Sequence, residues 1–254
     1  MQETLNCFYD KFFYLKPFLH KWLFDVTLLD SPILKNRLNS NINNIIKMFY
    51  EPTKNNHGLS KNPFNSLVVP RPIGWISSID TEGIVNLAPY SFFNAVCYRP
   101  PTVMFSSGTG SSTDGMKDSL RNIEDTGEFV CNLATWETKD QMNQTSASVS
   151  SKTDEMELAG LTPLSSKLVN VPRVGETPVN LECRYLKSVR VPSWEEKDRY
   201  FIVLGEVIGI HIRDDCLTED GLVDIAKINP IGRMGYNDYT SVNGNTIFTM
   251  VRPD

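Results

Sequence analysis

The sequence predicts a mainly β chain, an antiparallel barrel with a few short helices, and three observations carry that prediction. Short stretches of alternating apolar and polar residues are separated by turn-forming residues. Helical periodicity is confined to brief segments. No regular alternation of strand with helix occurs, as a doubly wound sheet would require. The 254 residues suffice for one sizeable core with an appendage. Hydrophobic residues make up 41% and charged residues 22%, the balance of an ordinary globular protein rather than of a disordered or membrane-embedded one.

Taken in order, the strand-rich part begins at about Met48. Pro70 and Pro72 interrupt residues 67–79, so the first part of that stretch suits only an edge. From Ile73 the chain alternates, with Ile73, Trp75, Ser77 and Ile79 on one face and Gly74, Ile76 and Ser78 on the other. Asp80-Thr81-Glu82-Gly83 is a turn into a second strand over 84–88, and a third follows Pro100-Pro101 over 102–106. Met116, Leu120 and Ile123 line one face of a short helix over 116–125, which Gly127 stops. A strand over 129–133 and a helix over 138–147 come next. Residues 150–178 are polar and proline-containing, an excursion over the surface. The longest strands cover 179–191 and 200–212. In the latter, Ile202, Leu204, Ile208, Ile210 and Ile212 share a face opposite Phe201, Val203 and Val207, so the strand is central. Gly205 and Gly209 mark bends of a closing barrel. His211 reads there as an ordinary strand residue.

Residues 1–47 have another texture. Leu5, Phe8, Phe12, Leu15, Leu19, Trp22, Val26 and Leu29 form a helical stripe that Pro17 would kink, and an asparagine-rich stretch follows. Lys11, Lys16 and Lys21 break any apolar run, which denies the segment a secretory signal or a membrane span. Glu3, Asp10, Asp25 and Asp30 beside a lone Arg37 deny it the composition of a transit peptide. The reading is an N-terminal extension, amphipathic or partly disordered, over 1–47, and a domain over 48–254.

A net charge of −5 offers no footprint for nucleic acid. The five cysteines are odd in number and scattered, with no Cys-x-x-Cys pair, which suits reduced thiols and a cytoplasmic location. Three histidines without ligand spacing argue against a metal centre. The sequon Asn143-Gln144-Thr145 matters only on export, for which nothing else speaks. Gly108-Thr109-Gly110-Ser111-Ser112-Thr113 lacks the third glycine of a dinucleotide fingerprint, and neither a Walker loop nor a nucleophile elbow occurs. Any chemistry therefore falls to a cofactor.

Small hydroxyl and amide side chains concentrate between Trp75 and Lys117. Ser77 and Ser78 lie on a strand, and Asn86, Ala88, Ser91, Phe92 and Asn94 belong to the run that follows. Ser106 and Ser107 end the next strand, and Lys117-Asp118-Ser119 opens the helix. Strand ends, glycine and hydroxyls beside a helix start, with a lysine, are what a phosphate monoester requires. A single serine at a strand end is ordinarily a turn former, so only the constellation carries weight.

The runs Pro70-Arg71-Pro72-Ile73-Gly74-Trp75-Ile76-Ser77-Ser78 and Asn86-Leu87-Ala88-Pro89-Tyr90-Ser91-Phe92-Phe93-Asn94 resemble the flavin-reductase-like family in its flavoredoxin-type branch. Lys117-Asp118-Ser119, Glu128-Phe129-Val130-Cys131-Asn132-Leu133, Asp154-Glu155-Met156 and Pro230-Ile231-Gly232-Arg233-Met234-Gly235 continue the match in order. The family commonly has Lys-Asp-Thr where Ser119 stands here, a departure that keeps the hydroxyl. The resemblance implies an FMN-binding split barrel, usually a homodimer with flavin near the subunit interface. It implies that Trp75, Ser77, Ser78, Ser91, Phe92 and Asn94 touch flavin and ribityl, together with Asn86 and Ala88. Ser106, Ser107 and Lys117 would serve the phosphate. It further implies reduction of flavin by NADH or NADPH and transfer to a small-molecule or protein acceptor. An FMN-bearing electron carrier without nicotinamide activity and a flavin-free dimeric module are the alternatives. Glu182, Arg233 and Tyr239 match family positions but read as paired structural groups. Trp194 fits either a loop lid or an exposed anchor.

Overall fold

The structure, a computed structural model, describes residues 48–110 and 115–253. The helical stripe expected within 1–47, and Ser111, Ser112 and Thr113 of the glycine run, lie outside the described residues. The chain divides into two compact units, residues 1–62 and 63–254. The first contributes one turn of 3-10 helix at Pro52–Lys54, closed by Asn55 in the left-handed region at φ 47°. Lys54 Nζ lies 2.6 Å from Glu51 Oε1 across that turn.

The second unit is built on strands that the residue alternation anticipates. β1 (Arg71–Pro72) leads into β2 (Gly74–Ile79), and the turn at Asp80 into β3 (Val85–Tyr90). Asp80 fixes that turn by accepting the Glu82 and Ile84 amides at 2.9 and 2.8 Å. β4 (Phe93–Tyr98) and β5 (Pro101–Ser107) follow, then α1 (Asp118–Thr126) and β6 (Glu128–Leu133). Leu120 and Ile123 put the apolar stripe of α1 into the core, and Gly127 ends the helix at φ 75°, a conformation that costs other side chains dearly. Beyond α2 (Lys139–Gln144) and α3 (Glu155–Leu158), β9 (Val179–Val191) and β10 (Tyr200–Ile212) are the two long strands the sequence predicts.

Seven strands form one antiparallel sheet in the order β3-β2-β6-β9-β10-β5-β4. β3 and β4 are neighbours in the chain yet stand at opposite ends of this order, so the sheet curls. Tyr90 at the end of β3 meets Phe105 of β5 with ring centroids 4.6 Å apart. Phe93 of β4 lies so close to Gly74 of β2 that a Cβ there would stand 2.5 Å from its ring, which only glycine avoids. β10 is central, and its register slips at Leu204/Gly205 and Val207/Gly209, the bends that the glycines signalled.

The curled sheet encloses Ile76, Phe105, Leu120, Ile123, Phe129 and Val203. A second core lies across β2, where Trp75 and Leu87 pack on Met142, Met156, Leu161 and Val174. The segment 150–178 is thus more than a surface excursion. It carries α3 and the small pair β7 (Pro163–Leu164) and β8 (Arg173–Val174), and it buries Met156, Leu161, Val169, Val171 and Val174. Its apolar residues are too widely spaced to show a period, which is why its sequence reads as loop. β4 is an edge strand with most residues exposed and a slip between Ala95 and Cys97, and so its sequence carries no alternation. α4 (Ile225–Ile228), β11 (Ile231–Arg233) and β12 (Tyr239–Ser241) complete the unit, with β11 pairing both β1 and β12.

Candidate functional site

A cleft of about 530 Å³ opens where β3, the first turn of α1 and the segment after α2 converge. Asn86, Ala88 and Tyr90 supply one wall, Lys117 and Ser119 another, and Thr145 to Val149 with Glu155 a third. That volume lies within the range of small-molecule and cofactor sites. Lys117 occupies the N-cap position of the nine-residue α1 in extended conformation, and no side chain caps the helix. Opening amides of a helix left without a cap favour an anion. The exposed Lys117 ammonium stands 5.4 Å from the centroid of the Tyr90 ring. The turn before α1 is tight: Gly110 N donates to Gly115 O at 2.9 Å.

Tyr90 is buried, and its hydroxyl completes no hydrogen bond; nor does that of the buried Ser107. Burial pushes the phenol up to about 12, against the opposing influence of the Ser119 and Ser107 hydroxyls beside it, while the Asp118 and Glu155 charges add to the rise. An enclosed hydroxyl without a well-formed hydrogen bond is costly, and a polar ligand in the cleft that Tyr90 lines would relieve that cost. Asn86 is held at both ends of its amide. Nδ2 donates to Glu155 Oε1 at 3.0 Å, and Oδ1 accepts the Ser119 hydroxyl at 2.6 Å. Glu155 Oε2 also accepts the Leu87 amide at 3.0 Å. Burial raises the Glu155 carboxyl above its ordinary value although the Leu87 and Asn86 donors work against it, and Asp118 adds to the rise. Glu155 is set in place because Asp154 caps α3, accepting the Met156 and Glu157 amides.

Of the residues singled out in the sequence, Asn86, Ala88 and Lys117 come together in this cleft. Trp75, Ser77 and Ser78 lie behind it in the protein interior. The Trp75 indole donates to Thr145 Oγ1 at 2.9 Å, and Ser77 Oγ donates to Pro172 O at 2.7 Å. Ser78 Oγ sits 3.4 Å from Asn122 Nδ2. Ser91, Phe92, Asn94 and Ser106 belong to the β4–β5 side, away from the cleft lining. There Ser106 N donates to Phe92 O at 2.8 Å, and Asn94 Oδ1 accepts the Ala95 amide. Phe92 is half exposed, with the Arg71 guanidinium 5.5 Å from its ring centroid.

Thr109, Tyr90, Ser119, Glu155 and the stretch Thr145-Ser146-Ala147-Ser148 also line the cleft, beyond the contacts that the sequence implies. The last carried a usable signal, since small hydroxyl residues after a helix repeat the pattern noted before α1. Glu182 and Arg233 are paired groups, as expected. Glu182 accepts the Lys167 and Leu168 amides at 2.8 and 2.6 Å and meets His211 Nε2 at 2.5 Å, so His211 is its partner. Arg233 donates to the Tyr239 hydroxyl and the Tyr236 carbonyl. Among the described residues no cluster of side chains suits a metal ion, and no helix is long and apolar enough to cross a membrane.

Comparison with known proteins agrees with this architecture. An uncharacterized protein of Aquifex aeolicus is 40% identical over 178 residues, covering 70% of this chain and 87% of that relative. Component B of nitrilotriacetate monooxygenase from Bacillus cereus superposes with a TM-score of 0.71 at 26% identity, over 80% of this chain and 98% of that one. Flavoredoxin of Desulfovibrio vulgaris shares the fold at 20% identity, with a TM-score of 0.62 over 76% of this chain and 95% of its own. The model of the flavin reductase like domain matches residues 66–227, which span the whole cleft, and the chain belongs to that family.

Proposed function

We propose that the cleft holds FMN and that the protein is an NAD(P)H-dependent flavin oxidoreductase. The observation that carries this reading is the Lys117 ammonium beside the uncapped first turn of α1, facing a cleft whose buried Tyr90 hydroxyl lacks a partner. Lys117 and the opening amides of α1 would hold the phosphate, and Asn86 and Tyr90 would donate to polar atoms of the flavin or its chain. Bound there, FMN would supply the redox chemistry, accepting hydride from a nicotinamide and passing electrons to an acceptor. With its phenol pushed up to about 12, Tyr90 stays protonated at neutral pH and acts as a donor, never as a base. Glu155 does not face the reaction as a free base either, because Leu87 and Asn86 occupy its oxygens; it orients Asn86.

The test is an absorbance spectrum of the purified protein followed by anaerobic NADH or NADPH. Flavin bands bleached by either coenzyme support the reductase. Bands that bleach only with dithionite or a protein donor replace it with the electron carrier, and a colourless protein that FMN cannot reconstitute removes the flavin reading altogether.

The same reading has two chains pairing, for which the open edge of the sheet gives support. Val96 and Tyr98 of β4 are exposed, Tyr98 at 83%. A two-fold partner is the common way to cover such an edge. Light scattering should give twice the 28.7 kDa of one chain. The unpaired state of Cys97, Cys131, Cys183 and Cys216 supports a reducing, cytoplasmic setting. Because the family segments all follow Met48, a chain starting there should retain flavin.

A further inference from the structure

A second cavity of about 430 Å³ lies on the other side of α2, between that helix and the β11–β12 hairpin. Its floor is apolar, with Met142 and Ile231 almost fully buried. Its rim carries two aromatic rings, and each is paired with a cation. Lys139 Nζ stands 4.5 Å from the Trp136 ring centroid, and Arg233 Cζ stands 4.5 Å from that of Tyr239. Both rings keep much of their surface in solvent, Trp136 at 51% and Tyr239 at 39%. Asn143, Asn237, Thr240 and Ser241 add hydrogen-bonding groups around the mouth.

The charge around this cavity is unbalanced. Lys139 has one acidic neighbour, Asp140 at 3.5 Å, whose side chain is 88% exposed. Arg233 is held by a hydroxyl and a carbonyl, both neutral. Behind it, the buried Arg71 bonds only the carbonyls of Asn65, Val68 and Met234, and its Nε completes no hydrogen bond. Arg71 and Arg233 are close enough for Arg233 to lower the Arg71 pKa, after the larger effect of burial. Arg233, held only by neutral oxygens and with a second guanidinium near enough to act on, is a cation that an incoming anion in the cavity stabilises. The aromatic rim over an apolar floor adds a preference for a flat ring.

We infer that the cavity between α2 and the β11–β12 hairpin is a second ligand site, which takes a planar ring carrying a carboxylate or a phosphate, directly or through a sugar. Arg233 and Lys139 hold the anionic group, and Trp136 and Tyr239 flank the ring. The site rests on the flavin reading only for the choice of sources, which are the adenylate end of a nicotinamide coenzyme and an aromatic carboxylate acceptor.

The test titrates 2′,5′-ADP and salicylate into the flavin-loaded protein by calorimetry. Binding of the nucleotide identifies the coenzyme source, and binding of salicylate identifies the acceptor source. Arg233→Ala should weaken whichever probe binds by about ten- to 150-fold, the loss of one charge-assisted hydrogen bond. Arg233→Lys should recover part of that, because it restores the charge without the fork. Lys139→Ala, which leaves the hairpin untouched, should weaken it by up to about five-fold. FMN affinity should be the same in all three variants. Failure of both probes to bind at millimolar concentration overturns the inference, as does binding that neither Arg233→Ala nor Lys139→Ala changes. Equal losses of probe and FMN would also overturn it, by showing damage to the fold. A protein that binds a probe here but takes up no flavin keeps this site and sinks the flavin proposal.

Discussion

Two polar regions of this protein lie on opposite sides of β2 and differ in how their groups are satisfied. Beneath the sheet, Asn132 Nδ2 donates to Trp75 O and Ser77 Oγ, while its Oδ1 accepts from Val174 N and Asn180 Nδ2, both at 2.9 Å. Asn180 Nδ2 also reaches Thr177 Oγ1 at 2.6 Å. Every member of that network has a partner inside the protein. At the cleft, the Tyr90 hydroxyl completes no hydrogen bond, and an aromatic ring is the contact of the Lys117 ammonium. Closed networks hold a fold together. Groups that remain unsatisfied are the ones a ligand can use.

The largest expected effect falls on the closed side. Asn132→Ala leaves the Val174 amide and Asn180 short of an acceptor in the buried interior, and should destabilise the protein by about 3–5 kcal/mol. Urea melts would show it. A loss below about 1 kcal/mol would mean that the network is slack and would erase the contrast. On the open side, Lys117→Ala should weaken FMN by about ten- to 150-fold, with riboflavin and the urea midpoint scarcely moved. Equal losses for both flavins would place the damage in the fold.

Tyr90→Phe sharpens the comparison further, because it removes a buried hydroxyl that completes no well-formed hydrogen bond, although the Ser107 and Ser119 hydroxyls lie beside it. Its stability should stay within about 1 kcal/mol of wild type, or rise, while FMN affinity falls. A large destabilisation would reveal a partner for that hydroxyl and close the cleft side as well.

The smallest effects are in pH dependence, where Glu155 at the cleft and Glu182 on β9, a group closed by its own partners, differ in sign. Glu155 at the cleft has its carboxyl raised, chiefly by burial, so the folded state holds a proton that the unfolded state releases. Its contribution is therefore present at low pH and is lost as pH rises from the ordinary carboxylate value through the raised one. Burial also pushes the Glu182 carboxyl up, but His211 and the Lys167 and Leu168 amides together outweigh it and leave the value lowered. Its contribution is present above the ordinary value and is lost as pH falls through the lowered one. Urea midpoints against pH should lose a falling limb in Glu155→Gln and an acid limb in Glu182→Gln. Identical profiles in the two variants would refute the opposition.

Much of this fold is readable in the residues. The alternation at Ile73–Ile79, the full lengths of β9 and β10, the glycine bends of β10 and the Gly127 stop all follow from local pattern. β4 and the buried part of 150–178 were unreadable, because an exposed edge has no alternation and isolated anchors such as Met156 and Val171 have no period. At the site, sequence shows residue types but not directions. Ser77 and Lys117 look equally suited to a ligand in the sequence, yet one hydroxyl is committed to Pro172 and the other side chain lines the cleft with its ammonium over the Tyr90 ring. Glu155 could not be connected to Asn86 by local reading at all, since 69 positions separate them.

That separation has a consequence for how the protein matures. The cleft walls come from β3, from the start of α1 and from the segment leading to α3, so no short stretch of chain can form half of it. Closing loops of that length costs entropy before any contact repays it, and such topologies assemble late and slowly. A nascent chain still missing α3 leaves Asn86 without its anchor. If the cleft holds FMN as proposed, its uptake would come as a final step of folding, and colour would report that the distant segments have met.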